Sequence, residues 1–327
     1  MIREKKKRLS GRFISILMVY IIVAALSFAA ASFYAAAEDD VTYHDSAEDA
    51  AAVLRDAMKD RKGKVSIGLT GKPDEDELKQ AIGKLLDLAT DHTGKPDEGD
   101  YINFQYASYK GTAHTDLDGL TPVIQIDYEL EYYDSKSQED EVDKAVDHIL
   151  NELDIENKTD YERIAAIHDF ICDSTEYEAA EDGDNIRRTA YGALIDGKAV
   201  CQGYSLALYR LLLEAGIDNR IIFGQGIEPA GASGSHTWNI VKLYGKYYYI
   251  DPTWDDSTFS RDYFLVPAGK GFEDQHIPDA GYPDDYFTEK YPVTKDEFRW
   301  DVPGLAFRMA KASERVSDAV KKGRGSE

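Results

Sequence analysis

The chain has 327 residues, of which 43% are hydrophobic and 30% charged, a globular composition with room for one large or two modest domains. Its formal net charge is −23 at pH 7. So acidic a body repels phosphate backbones, which excludes a nucleic-acid partner and suits neutral or cationic substrates.

The first twelve residues run against that charge: Arg3, Lys5, Lys6, Lys7, Arg8 and Arg12 face Glu4 alone. Residues 13–37, "FISILMVYIIVAALSFAAASFYAAA", are then uncharged. A basic start followed by an apolar run is an export pattern, with the positive end held in the cytoplasm. Ala35-Ala36-Ala37 suits cleavage before Glu38, and the run also exceeds the roughly 20 residues that span a bilayer. Residues 1–37 are therefore expected to be a signal peptide or a membrane anchor. The body is expected to be extracytoplasmic, either secreted or anchored by residues 13–37.

Residues 38–156 read as a smaller N-terminal α+β domain. "SAEDAAAVLRDAMKD" places Ala50, Val53, Leu54 and Met58 at helical spacing. "KVSIGL" is a short strand. "PDEDELKQAIGKLLDLATDH" is a helix opened by Pro73, with Leu78, Ile82, Leu85 and Leu86 on one face. "YINFQYASYKG" and "TPVIQIDYELEYYD" alternate and are rich in aromatic and β-branched residues, so both are strands, joined by a turn in "TDLDGL". "SQEDEVDKAVDHILNELD" is a helix capped by Ser137. No motif in this region carries chemistry.

Residues 157–270 read as the catalytic core, and 271–327 as a C-terminal extension that completes it and ends in a basic helical tail. Thr159 caps the helix "DYERIAAIHDFICDS", with Ile164, Ile167, Phe170 and Ile171 inward. His168, mid-helix, has no partner at helical spacing except the adjacent Asp169, and reads as structural. Cys172 reads as a packing residue. A short helix and a glycine turn lead into Cys201. From there Ala207, Leu208, Leu211, Leu212 and Ala215 keep the helical period to Gly216, a natural C-terminal stop. "NRIIFGQG" is a strand, "IEPAGASGS" a glycine-rich loop whose Gly231–Gly234 stretch could act as a lip, and "HTWNIVKLYGKYYYIDPTW" a hairpin.

Three residues in this region fit nucleophilic chemistry. A thiol nucleophile needs a lowered pKa and a base, and the base needs a third group to fix its tautomer. Cys201 begins a helix, where unpaired N–H groups and the positive dipole end favour a thiolate. The same amides, from Cys201 and Gln202, could bind an oxyanion. A two-residue turn at Tyr244-Gly245 sets Leu243 opposite Lys246 and brings His236 and Asp251 to diagonal positions on one face. A turn centred on Gly245 would separate them. Tyr244 is an awkward residue there, because such a turn demands a positive φ.

The motifs "AVCQGYSLALYRLLLEAGI", "SHTWNIV" and "YYYIDPTWDD", in this order, resemble the core of the transglutaminase-like superfamily, which has a papain-like fold. "YERIAAIHDFICDSTEYE" and "TAYGALIDGKAV" resemble the entry to that core, so the likeness covers about residues 157–265. It implies an α+β fold in which the helix carrying the nucleophile packs on an antiparallel sheet. It also implies Cys201 as nucleophile, His236 as general base and acid, and Asp251 as the orienting carboxylate, with Trp254 and Trp238 beside the site. The superfamily's transglutaminases proper place a tryptophan upstream of the cysteine, at the oxyanion; here Trp238, Trp254 and Trp300 all lie downstream. Tyr191 or Gln202 is the expected stand-in. Neither metal nor cofactor is implied, and Asp255-Asp256 reads as a solvated turn, too few oxygens for a calcium cage.

The reading is a transglutaminase-like cysteine enzyme acting on amide bonds of extracellular or cell-wall proteins or peptides through a thioester. Water would resolve it in hydrolysis, an amine in transfer. The rival is a silent binding module on the same fold.

Overall fold

The computed structural model describes residues 41–179, 185–228, 231–279 and 285–298. The uncharged run 13–37 and the C-terminal tail fall outside them, and no helix among the described residues is long and apolar enough to cross a membrane.

A short strand β1 (Tyr43–His44) leads into α1 (Ala47–Lys59), whose cap Ser46 accepts from the Asp49 amide. Ala50, Leu54 and Met58 are buried as expected, but Val53 falls at the edge of the apolar stripe and is 40% exposed. After β2 (Lys64–Thr70), Asp74 and Glu77 form a capping box at the start of α2 (Glu75–Ala89), so Pro73 precedes the cap instead of opening the helix. Ile82, Leu85 and Leu86 of α2 are buried.

The strand expected from Tyr101 begins later. Residues Asp100–Asn103 form the single turn α3, and β3 runs Tyr106–Asp118. Distant contacts override the local β preference. The Asp100 carboxylate takes both Arg220 Nε at 2.7 Å and Nη2 at 2.8 Å, and the Tyr101 hydroxyl donates to Glu139 Oε2 at 3.0 Å. β3 continues to Asp118, and β4 (Thr121–Tyr132) pairs back from Thr121, leaving Gly119-Leu120 as the turn. The first sheet has the order β1-β2-β4-β3 and closes over α1 and α2 around Leu54, Ile67, Leu85 and Ile126.

α4 (Lys136–Glu152) is capped by Ser135, not Ser137, because Gln138 completes a capping box with Ser135. It adds Val142, Val146 and Ile149 to a second core. Thr159 caps α5 (Asp160–Ser174), with Glu162 completing the box. β5 (Glu176–Tyr177), α6 (Ala190–Leu194) and β6 (Lys198–Ala199) then lead into α7 (Cys201–Glu214). α7 is buried on all sides from Gly203 to Leu213, packed between α5, α6 and a second sheet. A Cβ on Gly203 would stand 2.7 Å from the Ala199 Cβ and 2.9 Å from the Thr189 carbonyl, so glycine is what lets the first turn of α7 dock.

The second sheet is antiparallel. It comprises β7 (Asn219–Ile227), β8 (Ser233–Leu243), β9 (Lys246–Ile250) and β10 (His276–Pro278), in the order β10-β7-β8-β9. The β8–β9 register is the one read from the sequence, with Leu243 opposite Lys246. Tyr244 and Gly245 form the turn with φ of 48° and 82°. Gly234, expected in a loop, is already in β8 opposite Gly226. α8 (Pro252–Thr258) follows β9 directly, and α9 (Phe272–Gln275) precedes β10, with α10 (Asp285–Lys290) further on. The fold is thus α+β, with the helix bearing Cys201 laid on an antiparallel sheet, as expected.

Candidate active site

Cys201 is the first residue of α7, after Val200, whose extended backbone ends the preceding strand. The first amides of any helix lack intrahelical acceptors, so the chain supplies N–H groups and a positive dipole end at this sulfur. Burial pushes the Cys201 thiol up, but the hydrogen bond and charge of His236, aided by the Thr237 side chain and amide, outweigh it and lower the thiol below its ordinary range. Cys201 is partly exposed and Cys172 likewise, and both are free thiols.

His236 lies on β8 opposite Gly224 and is buried. Its Nε2 is 2.7 Å from Asp251 Oδ2, which leaves Nδ1 for Cys201. Burial opposes charge on this ring, but the Asp251 carboxylate and Cys201 raise it to about 10. A lowered thiol against a raised imidazole favours a thiolate–imidazolium pair at neutral pH.

Asp251 caps α8 and is wholly buried. Its Oδ1 accepts from the Thr253 and Trp254 amides at 3.0 and 3.3 Å. Burial alone would raise this carboxyl; the His236 charge and the hydrogen bonds from His236 and His276 hold it well below the usual carboxylate range. Pro252 starts α8 without an N–H to satisfy, so "IDPTW" serves two ends: it stops β9 and presents the carboxylate as a cap.

Trp254 stacks on the His236 ring with centroids 5.2 Å apart, and buried Trp238 lies on it at 5.9 Å. The two expected oxyanion side chains are engaged elsewhere. Gln202 Nε2 donates to the Phe104 carbonyl at 2.6 Å, leaving its backbone amide on α7, and the Tyr191 hydroxyl donates to Glu141 at 3.3 Å. The structure therefore gathers Cys201, His236, Asp251, Trp254 and Trp238, and ties Gln202 and Tyr191 to other partners.

His168 is structural, as expected, but its shorter hydrogen bond goes outside its own helix: Nε2 stands 3.0 Å from Asp255 Oδ2, with Asp169 Oδ1 3.4 Å from Nδ1. Asp255 is consequently buried within α8 and not part of a solvated turn. His276 puts Nε2 2.9 Å from the same Asp251 oxygen that His236 holds. No local motif marks it; "HIP" is a lone histidine in a loop-rich stretch.

One ligand atom each of His236, Asp251 and His276 lies within 4.8 Å of the others, a triangle that could hold a metal ion. Two atoms each roughly 2.1 Å from a tetrahedral zinc stand roughly 3.4 Å apart. The 2.7 and 2.9 Å separations are hydrogen-bond lengths instead.

Residues 147–252 match the family model of the transglutaminase-like superfamily. This stretch is a transglutaminase-like domain. Kyphoscoliosis peptidase of Mus musculus is 28% identical over 169 residues, an alignment covering 46% of this chain and 25% of that protein. The chain spans about a quarter of the length of the curated relatives it matches. A transglutaminase (TGase) crystal structure is similar at 14% identity and a TM-score of 0.32, over 64% of this chain and 55% of its own. The periplasmic domain of TgpA from Pseudomonas aeruginosa is similar at 15% identity and a TM-score of 0.27, over 46% and 65%. The matched residues run from the last turns of α4 to the first residue of α8 and contain Cys201, His236 and Asp251.

Proposed function

We propose that the chain is an extracytoplasmic cysteine enzyme that breaks amide bonds through a thioester on Cys201. The observation that carries this reading is the 2.7 Å hydrogen bond from His236 to the saturated carboxylate of Asp251, with the same ring lowering the Cys201 thiol. The Cys201 thiolate attacks the amide carbonyl carbon, and the developing oxyanion sits against the first amides of α7. The C–N bond breaks as the His236 imidazolium gives its proton to the leaving amine. Water then attacks the thioester, His236 takes its proton, and the acid and the thiolate leave. The peptidase name of the mouse relative favours water over an amine as the second nucleophile. The basic start and the uncharged run 13–37 support placement outside the cytoplasm.

Iodoacetamide at neutral pH should alkylate Cys201 much faster than Cys172, and His236→Ala should slow Cys201 alone. Equal, slow labelling of both thiols would leave a silent binding fold. A glutamine-containing protein supplied with a labelled primary amine separates the reactions: new termini or ammonia mark hydrolysis, and incorporated label marks transfer. Cys201→Ala should lower whichever activity is found by roughly 10³-fold or more.

A further inference from the structure

Asp251 Oδ2 accepts from two histidines, not one: His236 Nε2 at 2.7 Å and His276 Nε2 at 2.9 Å. With Oδ1 on the Thr253 and Trp254 amides, every direction of the carboxylate is committed. The His276 ring is itself immobilised. Its Nδ1 lies 3.1 Å from the Phe272 carbonyl, and Phe272 stacks on it at 3.7 Å between centroids. Trp254 at 4.3 Å, Trp238 at 5.1 Å and Tyr263 at 5.7 Å complete an aromatic box. The two strands that flank β7 deliver the two histidines: His276 on β10 pairs with Gly226 of β7, and His236 on β8 pairs with Gly224. A Cβ on Gly226 would stand 3.1 Å from His236 Cβ and 3.0 Å from Trp254, so the glycine keeps open the gap that the His236 and Trp254 rings occupy.

We infer that His276 is a positioning residue of the Cys201 site: it donates from Nε2 to Asp251 Oδ2 and fixes the oxygen that in turn orients His236 toward Cys201. This rests on the proposed roles of Cys201, His236 and Asp251. The Thr253 and Trp254 amides hold Oδ1, and His276 adds a donor on Oδ2 that does not depend on His236, so the oxygen facing His236 stays in place when the His236 ring moves. Packing alone explains the aromatic box. It does not require Nε2 to face the one acceptor that His236 uses. The titratable groups around this carboxylate are His236 on β8, His276 on β10, Asp255 on α8, Tyr263 and, beyond His236, Cys201 on α7; Trp238, Trp254 and Phe272 fill the rest.

Two near-isosteric variants separate positioning from packing. The amide nitrogen of Gln occupies the place of Nε2, and that of Asn the place of Nδ1. His276→Gln therefore keeps the donor to Asp251 and loses the tie to Phe272, whereas His276→Asn does the reverse. The readout is the rate of Cys201 alkylation by iodoacetamide from pH 5 to 9, with Cys172 as internal reference and thermal melting as a check on folding. In His276→Asn the pH midpoint should move up by about one unit, which is about tenfold slower alkylation at pH 6. His276→Gln should stay near the wild-type profile even where its melting temperature falls. A wild-type profile in His276→Asn, or equal impairment of both variants, overturns the inference. If wild-type Cys201 is itself no faster than Cys172, or is indifferent to His236→Ala, the failure belongs to the proposed function instead.

Discussion

Cys172 lies on α5 with its sulfur 3.8 Å from His168 Nε2 and 3.4 Å from the Pro252 carbonyl. Burial pushes this thiol up despite His168, so it holds its proton, whereas His236 lowers the thiol of Cys201. Each cysteine has a histidine and each histidine an aspartate, yet only Cys201 starts a helix. That difference was legible in the sequence, because helix starts and stops are local signals. The pairing His168–Asp255 was not, because it joins residues 87 apart that no single element relates. The same reasoning makes His236 the most informative titration. Its ring should titrate near pH 10 by NMR, since Asp251 and the Cys201 thiolate both favour its charge. In Asp251→Asn the midpoint should fall toward the ordinary value of about 6.5. A wild-type midpoint already at that value would show that Asp251 does not act on the ring.

At the scale of elements, the hairpin decides the site. Its register depends on Tyr244-Gly245 being a two-residue turn, and alternate registers would send His236 and Asp251 to opposite faces. The sequence indicated this through the alternation in β8 and β9, and the structure has it. The cost sits at Tyr244, a non-glycine residue held at φ 48° with its side chain 61% exposed. Tyr244→Asn should stabilise the protein by about 0.5–1 kcal/mol, because Asn tolerates the left-handed region that costs other residues roughly 1–2 kcal/mol. Urea denaturation should show a higher midpoint at unchanged slope; a lower midpoint would mean that the tilted ring contact of Tyr244 with Phe298 outweighs the strain. Elsewhere tertiary contacts overrode local preference. Tyr101–Asn103 gave up a strand for a helical turn that Asp100 anchors through its bidentate pair with Arg220, and Ser135 displaced Ser137 as a cap through a side chain three residues on. Pattern alone is silent about such rivals.

At the scale of the whole molecule, the segment between α2 and β3 reaches the second core through polar ties. Arg220 binds Asp100, Gln202 binds the Phe104 carbonyl beside the nucleophile, and His92 spans Tyr209 and Asp218 at 2.9 and 3.1 Å. Buried charges of this kind make stability depend on pH, and the two Cys–His pairs act differently. For Cys201 and His236, folding moves a proton from thiol to imidazole, so the pair holds one proton folded or unfolded near pH 7.5 and contributes almost no pH slope there. His168 and Cys172 do not cancel. Burial opposes charge on His168, but Cys172, Asp169 and Asp255 raise it well above the ordinary histidine value. A raised histidine contributes stability that is fully present below pH ~6.5 and is lost as pH rises toward its folded value. The thiol of Cys172, also raised, has the same sign above pH ~8.5. Unfolding free energy should therefore fall between pH 6.5 and 9 by up to about 1.4 kcal/mol per pH unit for each proton held only by the folded chain. Urea midpoints measured across that range test it, with His168→Gln as the control. That variant should be less stable at pH 6 and should lose less on going to pH 9. A wild-type midpoint that stays flat or rises with pH would mean that the ring between Asp169 and Asp255 is neutral in the folded protein.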